Sequence, residues 1–75
     1  MVCSLRAHRL QRLLTVRELA RVSKVSHTAI WMAEAGTVQP RLATIRALAQ
    51  ALGVEPGMIA EFRPALGLPP ADGAA

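Results

Sequence analysis

Across 75 residues the chain carries one cysteine, no tyrosine, one phenylalanine and one tryptophan. A solitary Cys3, with His8 and His27 far apart in sequence, cannot assemble a disulfide framework or a metal cluster, and such cysteine usage fits a reducing cytoplasm. Nowhere does the sequence approach the roughly 20 consecutive apolar residues that span a bilayer. The N-terminus lacks the long apolar run of a signal peptide, so no membrane association or export is expected. Also missing are paired carboxylates, metal-ligand spacing, a nucleophile with a base, and a glycine-rich phosphate loop. Together with a length that leaves no room for a second core, these gaps argue against an enzyme and against a cofactor.

What is present is aliphatic and basic. The apolar 52% of the chain comes almost entirely from Ala, Leu, Val and Ile, the composition of short packed helices, and the expectation is an all-α fold. Charge is uneven. Residues 1–50 carry eight cationic side chains against Glu18 and Glu34, a net of +6, while the remainder is −2. A basic body suits a polyanionic partner, because Lys and Arg neutralising phosphates dominate nucleic-acid affinity.

A first helix is expected from Leu5 to Leu13, with Leu5, His8 or Arg9, and Leu13 inward and Arg6 and Arg12 outward. His8 reads as a core-edge side chain with its polar tip in water. Thr15 and Glu18 then have the spacing of a capping box, which starts a second helix at Val16 with Val16, Leu19, Ala20 and Val22 mostly on one side. Ser26 offers a second N-cap for a helix with Ile30, Ala33 and Glu34 on its inner face. Only Ser23 to Ser26 separates the two. So short a connection forces a steep crossing and turns His27, Thr28, Trp31, Met32 and Ala35 outward. This is a helix-turn-helix pattern, in which that outward face enters a DNA major groove.

Gly36 can supply a left-handed helix end and Pro40 delays the next helix, which the spacing of Leu42, Ile45, Leu48, Ala49 and Leu52 places at Leu42 to Leu52, with Gly53 closing it. Pro56 suits the first turn of a fifth helix through Phe62 with Met58, Ile59 and Phe62 on its buried side. Pro64, Gly67, Pro69, Pro70 and Gly73 break any pattern beyond. The organisation read from this is a domain over 1–63 and a tail over 64–75, either disordered or laid on a partner. Met58, Ile59, Phe62 and Leu66, with Leu68, exceed what so short a helix needs for its own docking, and are expected to form a dimer interface.

The chain resembles the lambda-repressor and Cro-like helix-turn-helix regulators. The likeness is carried by Leu5 through Thr15 (LRAHRLQRLLT), Glu18-Leu19-Ala20, Val25-Ser26, Ile30, Glu34-Ala35-Gly36, Pro40 and Leu48 through Val54 (LAQALGV). The resemblance implies a compact five-helix domain that docks its third helix in the major groove as a symmetric dimer. It places base contacts on His27, Thr28, Trp31 and Met32. It also implies a partly buried ion pair between Arg9 and Glu34. Phosphate contacts are expected from Arg17, Ser26, Thr37, Gln39 and Arg41, from the amides of the loop between Thr37 and Gln39 and from those at the start of helices two and three, with Arg6, Arg12 and Arg46 as further candidates. Three positions depart from the family. Val16 stands where a phosphate-clamping Gln is common, Lys24 where the turn often has Gly, and Val38 where a basic residue is frequent.

Two functions follow. One is a DNA-binding transcriptional regulator, a repressor or antitoxin-like autoregulator, partnered by double-stranded DNA, a second copy of itself and in some settings a toxin or other protein. The other is a protein-interaction module that uses Val16, Trp31 and Met32 as an apolar patch.

Overall fold

The computed structural model describes residues 2–69, in which four α-helices are followed by three short 3₁₀ turns: α1 Leu5–Gln11, α2 Val16–Ser23, α3 His27–Ala35, α4 Leu42–Leu52, then Pro56–Met58, Ala60–Phe62 and Pro64–Leu66. Among the described residues none of these helices is long and apolar enough to cross a membrane.

Each of the first three helices begins at a hydroxyl. Ser4 Oγ accepts the Ala7 N–H, Thr15 Oγ1 accepts that of Glu18, and Ser26 Oγ accepts that of Ala29, filling orphan donors of the first turn. At Thr15 the capping box is closed, since the Thr15 N–H donates to Glu18 Oε1 at 2.8 Å. The core is built from one stripe of each helix, Leu5, Leu19, Ile30 and Ala33, and Ile45, Leu48, Ala49 and Leu52, completed by Ile59 and Phe62.

The fifth helix is not continuous. Ile59 is extended (φ −102°, ψ 115°) between two single 3₁₀ turns, because its neighbours pair with the chain's beginning: the Cys3 N–H donates to Met58 O and the Ala60 N–H to Cys3 O. His8 reinforces this junction, its Nε2–H donating to Met58 O at 2.7 Å. Its polar tip is therefore bonded inside the fold rather than wet. Glu61 Oε1 accepts the Leu5 N–H at 2.7 Å, a second cap for α1 contributed from 56 residues away.

Helix ends supply the other departures. α1 stops at Gln11, and Leu13, expected inward, takes φ 56° and is 89% exposed. The Leu13 N–H bonds to Leu10 O and the Leu14 N–H to Arg9 O, the pairing of a Schellman end with Leu13 in the left-handed position. The equivalent positions after α3 and α4 are Gly36 and Gly53. α2 likewise ends at a left-handed Lys24, φ 61°, so the turn to Ser26 is one residue shorter than the sequence implied. Leu42 and Val22, counted as inward, are 61% and 58% exposed; Leu42 opens α4 ahead of the core stripe, and Val22 sits in the last turn of α2, at the edge of its buried face.

Residues beyond 63 are partly engaged. Ala65 and Leu66 pack against the core, and Arg63 donates from Nη1 to Gly57 O and from Nε to Pro69 O. Structure thus continues past the boundary read at 63, and the remainder of the expected tail, 70–75, lies outside the described residues.

Candidate nucleic-acid interface

Lys24, Val25 and Ser26 join α2 to α3, and the sharp turn leaves α3 packed by Ile30 and Ala33 while its opposite side stands bare. His27, Thr28, Trp31 and Met32 all lie on that bare side, Trp31 at 61% exposure and Met32 at 44%. The rings of His27 and Trp31 meet edge to face, centroids 5.9 Å apart at 90°, so one helical turn presents an ordered aromatic pair. His27 and Thr28 offer hydrogen bonds, whereas Trp31 and Met32 offer apolar surface of the kind that meets a thymine methyl.

Two depressions flank this helix. An open groove of about 680 Å³ lies between α2 and the start of α3, lined by Ala20 and Val25 and by the polar Arg17, Arg21, Lys24, Ser26 and His27. A smaller cleft of about 310 Å³ lies between α3 and the following loop, with Met32, Val38, Gln39, Arg41 and Thr44 among its walls. The structure therefore gathers the expected phosphate residues into two sets, Arg17 with Ser26 on one side and Gln39 with Arg41 on the other. Arg21 and Lys24, which the sequence reading did not assign, join the first set. Their signal was the spacing 17, 21, 24, which is one face of a helix.

Thr37 does not fit the phosphate role. Its N–H and its hydroxyl both donate to Met32 O, closing the end of α3, and leave no donor for a ligand. The neighbouring N–H groups of Val38 and Gln39 make no bond within the described residues. Ser26 Oγ accepts from Ala29, but its own proton stays available.

Behind the interface, Arg9 donates from Nε to Glu34 Oε2 at 2.7 Å and from Nη2 to Oε1 at 3.1 Å, while Nη1 reaches Leu14 O at 2.9 Å. The two side chains are 10% and 12% exposed. This fork ties α1 and its exit to the last turn of α3, fixing the helix that carries the bare face. At the opposite end, Glu18 is held below its ordinary value of 4.5 by the Thr15 N–H first, then by the Thr15 hydroxyl, with the Arg21 cation adding to both.

The residues assigned to dimerisation divide. Ile59 and Phe62 are fully buried in the chain's own core, so they cannot also face a second copy. Met58 and Leu66 are half-buried, and Leu66 packs on the core as well. The apolar patch of the protein-partner reading also shrinks, since Val16 packs against the core and leaves Trp31 and Met32 with Val38 beside them.

Two helices across a short turn, the second bare on its outer face and set between a cationic groove and a smaller cleft that carries Arg41, define a helix-turn-helix domain. A family model described as a helix-turn-helix domain matches residues 1–62, and the chain belongs to that family. This accords with the resemblance to the lambda-repressor and Cro-like regulators and makes DNA the implied partner. No curated protein and no solved structure shows a significant match to the chain.

Proposed function

We propose that the protein is a sequence-specific transcriptional regulator, a repressor or antitoxin-like autoregulator, that inserts α3 into the DNA major groove. The observation that carries this reading is the bare face of α3 between a groove lined by Arg17, Arg21 and Lys24 and a cleft that carries Arg41. In it, His27 and Thr28 donate to base edges, Trp31 and Met32 contact apolar base edges, and Arg17, Ser26, Gln39 and Arg41 hold phosphates on either side, with the Val38 and Gln39 amides adding neutral donors. A two-fold homodimer would set two copies of α3 about 34 Å apart on successive major grooves, through a surface that does not include Ile59 or Phe62. The activity is binding, not catalysis, and it is exercised in the cytoplasm.

A second reading is favoured by Trp31, Met32 and Val38, large exposed apolar side chains of which Met32 and Val38 share one cleft; such surface suits a toxin or other protein as partner. Selection of bound duplexes from a random pool, followed by titration at several salt concentrations, separates the two. The DNA reading requires a recovered consensus and a log–log salt slope of several units. A pool that never enriches refutes it and leaves the protein partner.

A further inference from the structure

We propose that the bare face of α3 reads the C5-methyl groups of pyrimidines, so that the duplex it selects is thymine-rich beneath the later turns of the helix and accepts 5-methylcytosine there in place of thymine; the proposal rests on the DNA reading above and names the class of duplex. The exposed residues of α3 are His27, Thr28, Trp31, Met32 and Ala35. None is an Arg, Lys, Asn, Gln, Asp or Glu, the side chains that pair with guanine, adenine or cytosine edges. Glu34, the one carboxylate of this helix, is nearly buried in its pair with Arg9. Long polar side chains border the helix instead of standing on its face, Arg17, Arg21 and Lys24 in the groove and Gln39 and Arg41 in the cleft. Cations on both sides suit a polyanion, which commits the apolar strip between them to bases rather than to an apolar protein surface.

Polarity is graded along this face. The first turn offers the His27 ring and the Thr28 hydroxyl, and the turns that follow offer Trp31, Met32 and Ala35. The thymine methyl is the one apolar group among the base edges of the major groove. An indole or thioether pressed on a carbonyl or amino edge strips its water and leaves its hydrogen bonds unreplaced, whereas pressed on a methyl it gains by burial. The His27 ring, edge to face with Trp31 at 5.9 Å, limits the freedom of the indole before binding and so lowers the cost of ordering it. Beside Met32, Val38 and Pro40 carry the apolar surface into the cleft. In 5-methylcytosine the same methyl sits at the same place, and readers that sense the methyl rather than the polar group next to it treat the two bases alike.

The test alters the DNA first, so that protein folding does not enter. In the duplex recovered by selection each thymine is replaced singly by uracil, which removes one methyl and nothing else, and the affinity of the full chain is measured at fixed salt. Uracil is expected to weaken binding about 3- to 5-fold at several positions, the worth of one buried methyl. At those positions 5-methylcytosine opposite guanine is expected to bind more tightly than cytosine by a similar factor. Trp31→Ala and Met32→Ala, with thermal melting alongside, are each expected to abolish the uracil penalty at the thymines that side chain covers. A consensus without thymine, a flat uracil scan, 5-methylcytosine no better than cytosine, or penalties unchanged in both variants overturns this proposal, while the selected binding itself preserves the DNA reading. A chain that enriches no duplex overturns both.

Discussion

Arg9 shows how one side chain can serve the whole interface without touching a ligand. Its guanidinium makes three hydrogen bonds in a nearly dry place, two to Glu34 and one to Leu14 O. Removing it leaves a buried carboxylate without its cation, a loss of about 3 kcal/mol or more. Arg9→Ala should therefore lower the urea midpoint markedly, and an unchanged midpoint would show that the pair holds nothing. Leu13 makes the opposite point. In a left-handed position and 89% exposed, it carries strain and buries little. Leu13→Gly should stabilise the chain by roughly 0.5–1 kcal/mol after allowing for the freer unfolded glycine, and a loss of stability in the same denaturation would contradict that reading. Sequence did not reveal Leu13, because a periodic apolar pattern cannot tell the last inward residue of a helix from the residue that ends it. Lys24 was legible as a left-handed site only through comparison with the family's glycine.

Among the elements, those with local signals were readable and those held from a distance were not. The capping box of α2 joins residues three apart and was visible as Thr15 and Glu18. α4 was read with its observed bounds from its three-four spacing and Gly53. The segment after it fails as a helix because Cys3 pairs with both sides of Ile59, and no pattern within seven residues could announce a partner more than fifty residues away. The Glu61 cap on Leu5 and the His8 bond to Met58 were hidden for the same reason. The α2 cap itself titrates. Glu18 is depressed in the folded chain by its bonds to Thr15, so its charged form contributes stability in full above its ordinary value of 4.5 and loses it as pH falls through the lower folded value. Thermal melting from neutral pH downward should show the gap between wild type and Glu18→Gln narrowing below about that pH. A gap constant throughout would mean that the carboxylate's charge does not stabilise α2.

At the scale of the molecule, a small aliphatic core fixes two helices so that one face of α3 stands out between a groove lined by Arg17, Arg21 and Lys24 and a cleft with Arg41 in its wall, and four of the eight cations of residues 1–50 thereby flank one candidate site. The outward residues of α3 could be read from helical spacing, and the placement of Arg17 and Arg41 in depressions on either side of that helix required the fold. The central claim is that this face meets DNA, and Trp31, the chain's single tryptophan, reports on it directly. The decisive measurement is its fluorescence during titration with a selected duplex, with a scrambled duplex of equal length and with Trp31→Ala as the binding comparison. The selected duplex should shift or quench the emission at concentrations where the scrambled one does not, and Trp31→Ala should lose roughly 1–3 kcal/mol of specific binding while salt-driven binding persists. Emission that stays fixed while duplex demonstrably binds would contradict the claim, because the bare face of α3 would then lie away from the DNA.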